Sequence, residues 1–297
     1  MRDLRVAGDG EWIGFSRGLF PDLAERLDRA LGENARRDGA LADDALAGDT
    51  VQPGRAFDDR LDAEVARRHE LREAITALAD ISDPAVRARF EDAFATARSI
   101  FAPIGCAVPE PESFLAAGID LRSLATAAAR DTTLAVVVAP HGLGAAAWLS
   151  LFDGAARDDA SAGRPGLVLA DEVRAGFDAL DRPPRAAPAA SVRDRLHPSA
   201  VWTLRLIPAS DAPPLMGLGH AHGPHATLSE MLVLQLRRAD AGCGPLDAET
   251  FTWVAGELAG GALAAREVFD ESERAVRISA RGVGSQGPHL GARPPVG

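Results

Sequence analysis

Three imidazoles fall within six residues, His220, His222 and His225, in the run Leu218-Gly219-His220-Ala221-His222-Gly223-Pro224-His225. A histidine-rich tract is a compositional signal for metal binding. On an extended segment His220 and His222 point to the same side. His225, beyond Gly223-Pro224, can fold back to complete three ligands of the kind a catalytic zinc uses beside an open position. The cofactor this stretch implies is a divalent metal, and the matching activity is a metal-dependent hydrolase. Two features oppose it. Pro224 stands where the metallo-hydrolase pattern places an acid, and Glu230 follows Thr227 at the spacing of a capping box, which commits its carboxylate to the Thr227 amide. The competing reading is a polar loop whose rings hydrogen-bond to backbone or water. A helix starting near Leu228 also offers free amides beside the imidazoles, an arrangement suited to a phosphate or carboxylate.

A second constellation runs from Val136 to Trp148, a β-branched segment leading through Gly142-Leu143-Gly144 and Ala147 into helix-forming residues. This is the G-x-G-x-x-A spacing of a dinucleotide fingerprint, and Asp171 follows the next expected strand, where a ribose-binding acid belongs. Gly142, Gly144 and Asp171 are therefore the candidate cofactor residues of a nucleotide-binding enzyme. His141, at the turn, is a candidate acid/base group, as is Glu230. The Pro140-His141 insertion lengthens the turn, and the segment from Asp153 to Pro165 is loose for a compact β-α-β unit.

The chain of 297 residues contains no lysine and no tyrosine, so all 32 basic residues are arginine. Walker A loops, protein kinases and Schiff-base or pyridoxal enzymes need a lysine, and reductases of the Tyr/Lys type need both; all are excluded in their usual forms. A net charge of -11 repels phosphate backbones and anionic lipid, and no run of arginine opposes it, so neither nucleic acid nor membrane is an expected partner. Cys106 and Cys243 are too far apart in sequence to suggest a disulfide framework or a zinc ribbon. The beginning of the chain lacks the apolar core of a secretory signal. The longest apolar run, Leu134 to Ala139, falls far short of the ~20 residues that span a bilayer. These features lead to the expectation of a soluble, cytoplasmic protein.

The elements that must position these groups follow from periodicity. Residues 1–130 read as helical: Phe57 to Leu78 and Val86 to Phe101 carry apolar residues at spacings of three and four, the second after a Ser82-Asp83-Pro84 start signal. Two shorter helices follow around Glu112 to Ala117 and Leu121 to Ala129, with Asp120 as cap. Arg36 to Arg55 reads as a loop. Residues 131–281 read as a mixed sheet covered by helices. Its expected strands are Thr132 to Val138, Gly166 to Leu169, an alternating one-face-exposed strand Val201 to Ile207, and an edge-like strand Arg274 to Ser279. A helix spans Leu228 to Arg238, and Asp181 to Ser199 reads as a proline-rich linker or a segment that wraps the surface. Phe251, Trp253, Phe269 and Trp202 are expected core residues. Residues 282–297 read as an irregular Gly/Pro-rich tail. The fold class is α+β or α/β. The shortage of nucleophile, amine and phenol chemistry points to interaction or assembly, with a protein partner or by self-association, ahead of the hydrolase and nucleotide-enzyme readings.

Overall fold

The computed structural model describes residues 77–153, 164–185, 187–192 and 194–297, all within one compact unit, Ala63–Gly297. The helix expected from Phe57 and the loop from Arg36 to Arg55 lie outside the described residues, save Ala77 and Leu78. The fold is α+β, helices first and then two sheets.

Helix α1 (Pro84–Phe101) begins where the sequence says it must: Asp83 accepts the amides of Ala85 and Val86, and Pro84 needs no amide partner in the first turn. Its buried face, Val86, Phe90, Ala93, Phe94, Ala97, Ile100 and Phe101, follows the spacing of three and four residues. Short helices α2 (Pro111–Ala116) and α3 (Leu121–Arg130) follow, the second capped by Asp120. Phe101 joins this helical layer to the rest of the core through edge-on contacts with Trp148 at 5.7 Å and Trp202 at 5.1 Å.

Strand β1 (Leu134–His141), helix α4 (Ala145–Asp153), β2 (Gly166–Leu169), α5 (Asp171–Ala175), α6 (Phe177–Leu180) and β3 (Ala190–Ser191) come next. β4 (Val201–Pro208) pairs antiparallel with β1 along its whole length, from Leu134↔Pro208 to His141↔Val201, and β3 adds to its other edge. A six-stranded mixed sheet is ordered β2-β8-β7-β6-β9-β5, with β5 Leu215–Met216, β6 Phe251–Leu258, β7 Leu263–Asp270, β8 Ala275–Gly282 and β9 Leu290–Ala292. Helix α7 (Leu228–Asp240) contacts β1 of one sheet and β6 of the other. Every residue from Leu228 to Leu236 is buried, which is what a helix enclosed between layers requires.

Four expectations are corrected. β4 is buried on both faces, not one: Thr203 and Arg205, which read as solvent positions, are enclosed because the fold supplies polar partners for them. β8 is an interior strand flanked by β2 and β7; its Arg277, Ser279 and Arg281 alternate because one face of the sheet is only partly covered there, not because the strand lies at an edge. The tail is not irregular throughout, since Leu290–Ala292 inserts between β6 and β5 and Arg293 is fully buried. The presumed linker adds a strand to β4 and buries Asp181. The β6–β7 hairpin escaped sequence reading: Ala255-Gly256 and Ala264-Ala265 blur the alternation, and the register shifts between Trp253 and Glu257. Trp202 and Trp253 are core as expected, while Phe251 and Phe269 are only half-buried.

Among the described residues, no helix is long and apolar enough to cross a membrane.

Candidate functional site

The three clustered histidines do not converge. His220–His222 forms a single 3-10 turn. His220 and His225 stack face to face, with centroids 4.7 Å apart and planes 19° from parallel, so their edges do not close on a common point. Each ring gives a nitrogen to a main-chain carbonyl: His220 Nε2 to Val254 at 3.2 Å, His222 Nδ1 to Gly219 at 3.1 Å, and His225 Nε2 to His220 at 2.7 Å. A carbonyl only accepts, so these nitrogens carry the protons. Burial lowers the His225 pKa from its ordinary value. Among the described residues, no group of three or more His, Cys, Asp or Glu side chains is placed to hold a metal ion. The loop instead packs on β6, with His220 edge-on to Trp253 at 5.6 Å and Trp253 Nε1 donating to the Leu218 carbonyl at 2.9 Å.

Glu230 is where its spacing places it, in a capping box, with Oε2 accepting the Thr227 amide at 2.8 Å. Its other partners are tertiary: Thr203 Oγ1 at 3.3 Å and Arg205 NH1 at 3.3 Å. Because Thr203 donates its hydroxyl proton to Glu230, it must accept from His141 Nε2 at 3.1 Å, which sets the His141 tautomer. His141 and Glu230 thus belong to one buried chain, both completely enclosed. Burial, reinforced by Arg205, pushes the His141 imidazole down to about 3, so it is neutral. The amides at the start of α7 face the interior, because Leu228, Ser229 and Glu230 are all buried.

The Gly142–Gly144 turn already holds a carboxylate, from the chain itself. Asp181 accepts the Gly144 amide at 2.7 Å and the Ser229 hydroxyl at 3.1 Å, while its main-chain oxygen accepts the Gly142 amide at 3.0 Å. Both glycines have positive φ, 82° and 80°, and a Cβ on Gly142 would stand 2.9 Å from the Ser199 carbonyl. The close approach that a dinucleotide fingerprint reserves for phosphate is made here by Ser199. Asp171 opens α5 beyond β2, in the other sheet, so β1-α4-β2 is not a parallel unit of one sheet.

What sequence reading missed is the outer face of β6, β7 and β8. Direct cross-strand pairing sets Trp253 beside Arg266 and Arg266 beside Ser279, while Arg281 stands opposite Ala264, diagonal to Arg266. The Arg266 guanidinium lies 3.9 Å above the Phe251 ring centroid and donates Nε–H to Ser279 Oγ at 3.2 Å. Burial and the neighbouring Arg281 lower the Arg266 pKa. A surface cleft of about 550 Å³ runs along this face, lined among others by Phe251, Arg266, Val268, Phe269, Arg277 and Ser279. The signal was present as period-two alternation, Arg266-x-Val268-x-Asp270 and Arg277-x-Ser279-x-Arg281, but only the pairing register puts the two strands side by side.

No family model, curated protein or solved structure matches the chain. One further pattern, Gly14-Phe15-Ser16-Arg17-Gly18, has the spacing of a hydrolase nucleophile elbow and lies outside the described residues.

Proposed function

We propose that this chain is a cytoplasmic, non-catalytic interaction protein that recognises its partner through the outer face of β6–β8. One contrast carries this reading. The groups best suited to acid–base chemistry, His141, Glu230 and Asp181, are buried and bonded to the fold's own atoms, whereas the cationic groups of the outer sheet face stand toward solvent. Neither of two surface clefts, the one above and one lined by Ser191, Val192, Asp194, Arg195 and Pro198, is lined by those buried groups. A half-buried arginine and phenylalanine together on a polar-rimmed face is the composition of a recognition surface more than of a bare sheet.

The test is site-directed photo-crosslinking in the protein's own cells. A photoreactive side chain replaces Val268, on the proposed face, or Leu115, exposed on α2. A discrete cross-linked species from position 268, absent from position 115 and lost when Arg266→Glu is added, supports the reading. Equal cross-linking from both positions overturns it, as does labelling of Ser16 by a fluorophosphonate probe, which would mark an active hydrolase.

A further inference from the structure

We infer that Arg266, Arg281 and the Ser279 hydroxyl form a subsite for a phosphate monoester dianion carried on a side chain of the protein partner. This rests on the interaction face proposed above and names the chemistry that the face selects.

The argument is an inventory of donors and charges. A guanidinium has five N–H groups. Arg266 uses one of them, Nε–H, on Ser279 Oγ, and its stacking on Phe251 fixes the plane of the rest. Ser279 accepts that proton, so its own hydroxyl hydrogen is directed elsewhere. Arg281 stands on the same side of the sheet, one diagonal away, within the reach of a long side chain. Among the described residues neither Arg266 nor Arg281 has a carboxylate partner. The third arginine of the face, Arg277, is already paired, with Asp270 at 3.5 Å and Glu273 at 2.6 Å. Two adjacent, uncompensated cations on a chain of net charge -11 repel one another, and that repulsion adds to burial in lowering the Arg266 pKa.

A carboxylate would neutralise one of these charges and leave the other. A phosphate monoester carries close to two negative charges at neutral pH, together with three acceptor oxygens for the two forks and the hydroxyl. A nucleic-acid backbone is disfavoured, because two free guanidiniums do not offset the repulsion of the whole chain. The cleft is open along the sheet, so it suits a group projecting from a partner's surface, with Val268 and Phe269 beside it. Glu271 on the rim disfavours strongly acidic flanking sequence.

The probes are inorganic phosphate, acetate, and a phosphoserine peptide with its unphosphorylated twin, titrated at constant ionic strength into the full chain labelled for arginine Nε–H NMR signals. We expect phosphate and the phosphopeptide to shift the Arg266 signal, the phosphopeptide to bind more tightly than phosphate, and acetate and the plain peptide to leave it in place. Arg281→Gln, at an exposed position, should weaken phosphopeptide binding about tenfold or more, while Arg281→Lys retains part of it. Melting temperatures of both variants should match the parent. The inference is overturned if acetate shifts Arg266 as phosphate does, if inorganic phosphate binds as tightly as the phosphopeptide, or if Arg281→Gln binds as the parent does. Any of these results, obtained while cross-linking from position 268 persists, removes the phosphate chemistry and leaves the interaction face standing.

Discussion

Replacing Glu267 by glutamine should leave folding stability almost unchanged near pH 5 and raise it strongly above pH 8. Glu267 sits on the inward face of β7, one residue from Arg266 on the outward face, and is completely buried. Oε1 accepts Gln235 Nε2–H at 2.6 Å, and Oε2 has no partner among the described residues. Burial, reinforced by Asp247, pushes the carboxyl up from 4.5 to about 8, so the folded chain holds it neutral at pH 7. The folded pKa lies above the unfolded one. The stability from the neutral carboxyl is therefore fully present below pH 4.5 and is lost as the pH rises through about 8. At about 1.4 kcal/mol per factor of ten, the interval from 4.5 to about 8 is worth on the order of 5 kcal/mol, with roughly 3 kcal/mol lost by pH 7. Glutamine keeps the acceptor for Gln235 and has nothing to ionise. Urea unfolding followed by tryptophan fluorescence, run on both proteins across the pH range, reads this directly, because titrating groups that do not interact with Glu267 cancel in the difference. Parallel stability curves for parent and Glu267→Gln would refute the reasoning.

The buried ion pair Arg293–Asp247, at 2.7 Å with both side chains fully enclosed, should be intolerant of one-sided change: Arg293→Met leaves a buried carboxylate and should cost about 3–5 kcal/mol in urea unfolding. His141 gives a pH dependence of the opposite sense. Its folded pKa, about 3, lies below the unfolded 6.5, so stability present above 6.5 falls as the solution is acidified, by about 2 kcal/mol near pH 5, and His141→Gln should remove most of that slope. Gly142→Ala meets both a φ of 82° and the Ser199 carbonyl at 2.9 Å, and should cost at least about 1–3 kcal/mol by thermal melting. Iodoacetamide at mildly alkaline pH should modify one thiol of the native chain, the exposed Cys243, because burial and the nearby Asp194 push Cys106 up to about 12; two equivalents taken up without unfolding would contradict the packing around Cys106.

Local signals and tertiary context divide cleanly in this molecule. Asp83-Pro84, Asp120 and the Thr227/Glu230 pair each start a helix through bonds that span two or three residues, so α1, α3 and α7 were legible from the chain alone. So were β1 and β2, whose apolar runs have no polar alternative to burial. Polar residues on strands were misread because their fate depends on partners remote in sequence. Arg205 and Thr203 look like a solvent face until Glu230 and the Gly297 main-chain oxygen are brought to them.

The same distinction governs the sites. Sequence spacing put three histidines together, yet their nitrogens go to the carbonyls of Val254, Gly219 and His220, because packing of the loop on Trp253 brings each ring to one of these acceptors. The Gly142–Gly144 stretch does lead from a strand into a helix, but the group filling its turn, Asp181, lies beyond another strand and three helices. Conversely, Arg266 and Arg281 are far apart in sequence, and the pairing of β7 with β8 makes them neighbours on one face. Composition alone removed lysine and tyrosine chemistry, since a missing side chain is missing in every fold. Which of the remaining groups meet water was decided by strand register and sheet order, because hydrogen bonds between segments far apart in sequence choose the face each residue occupies.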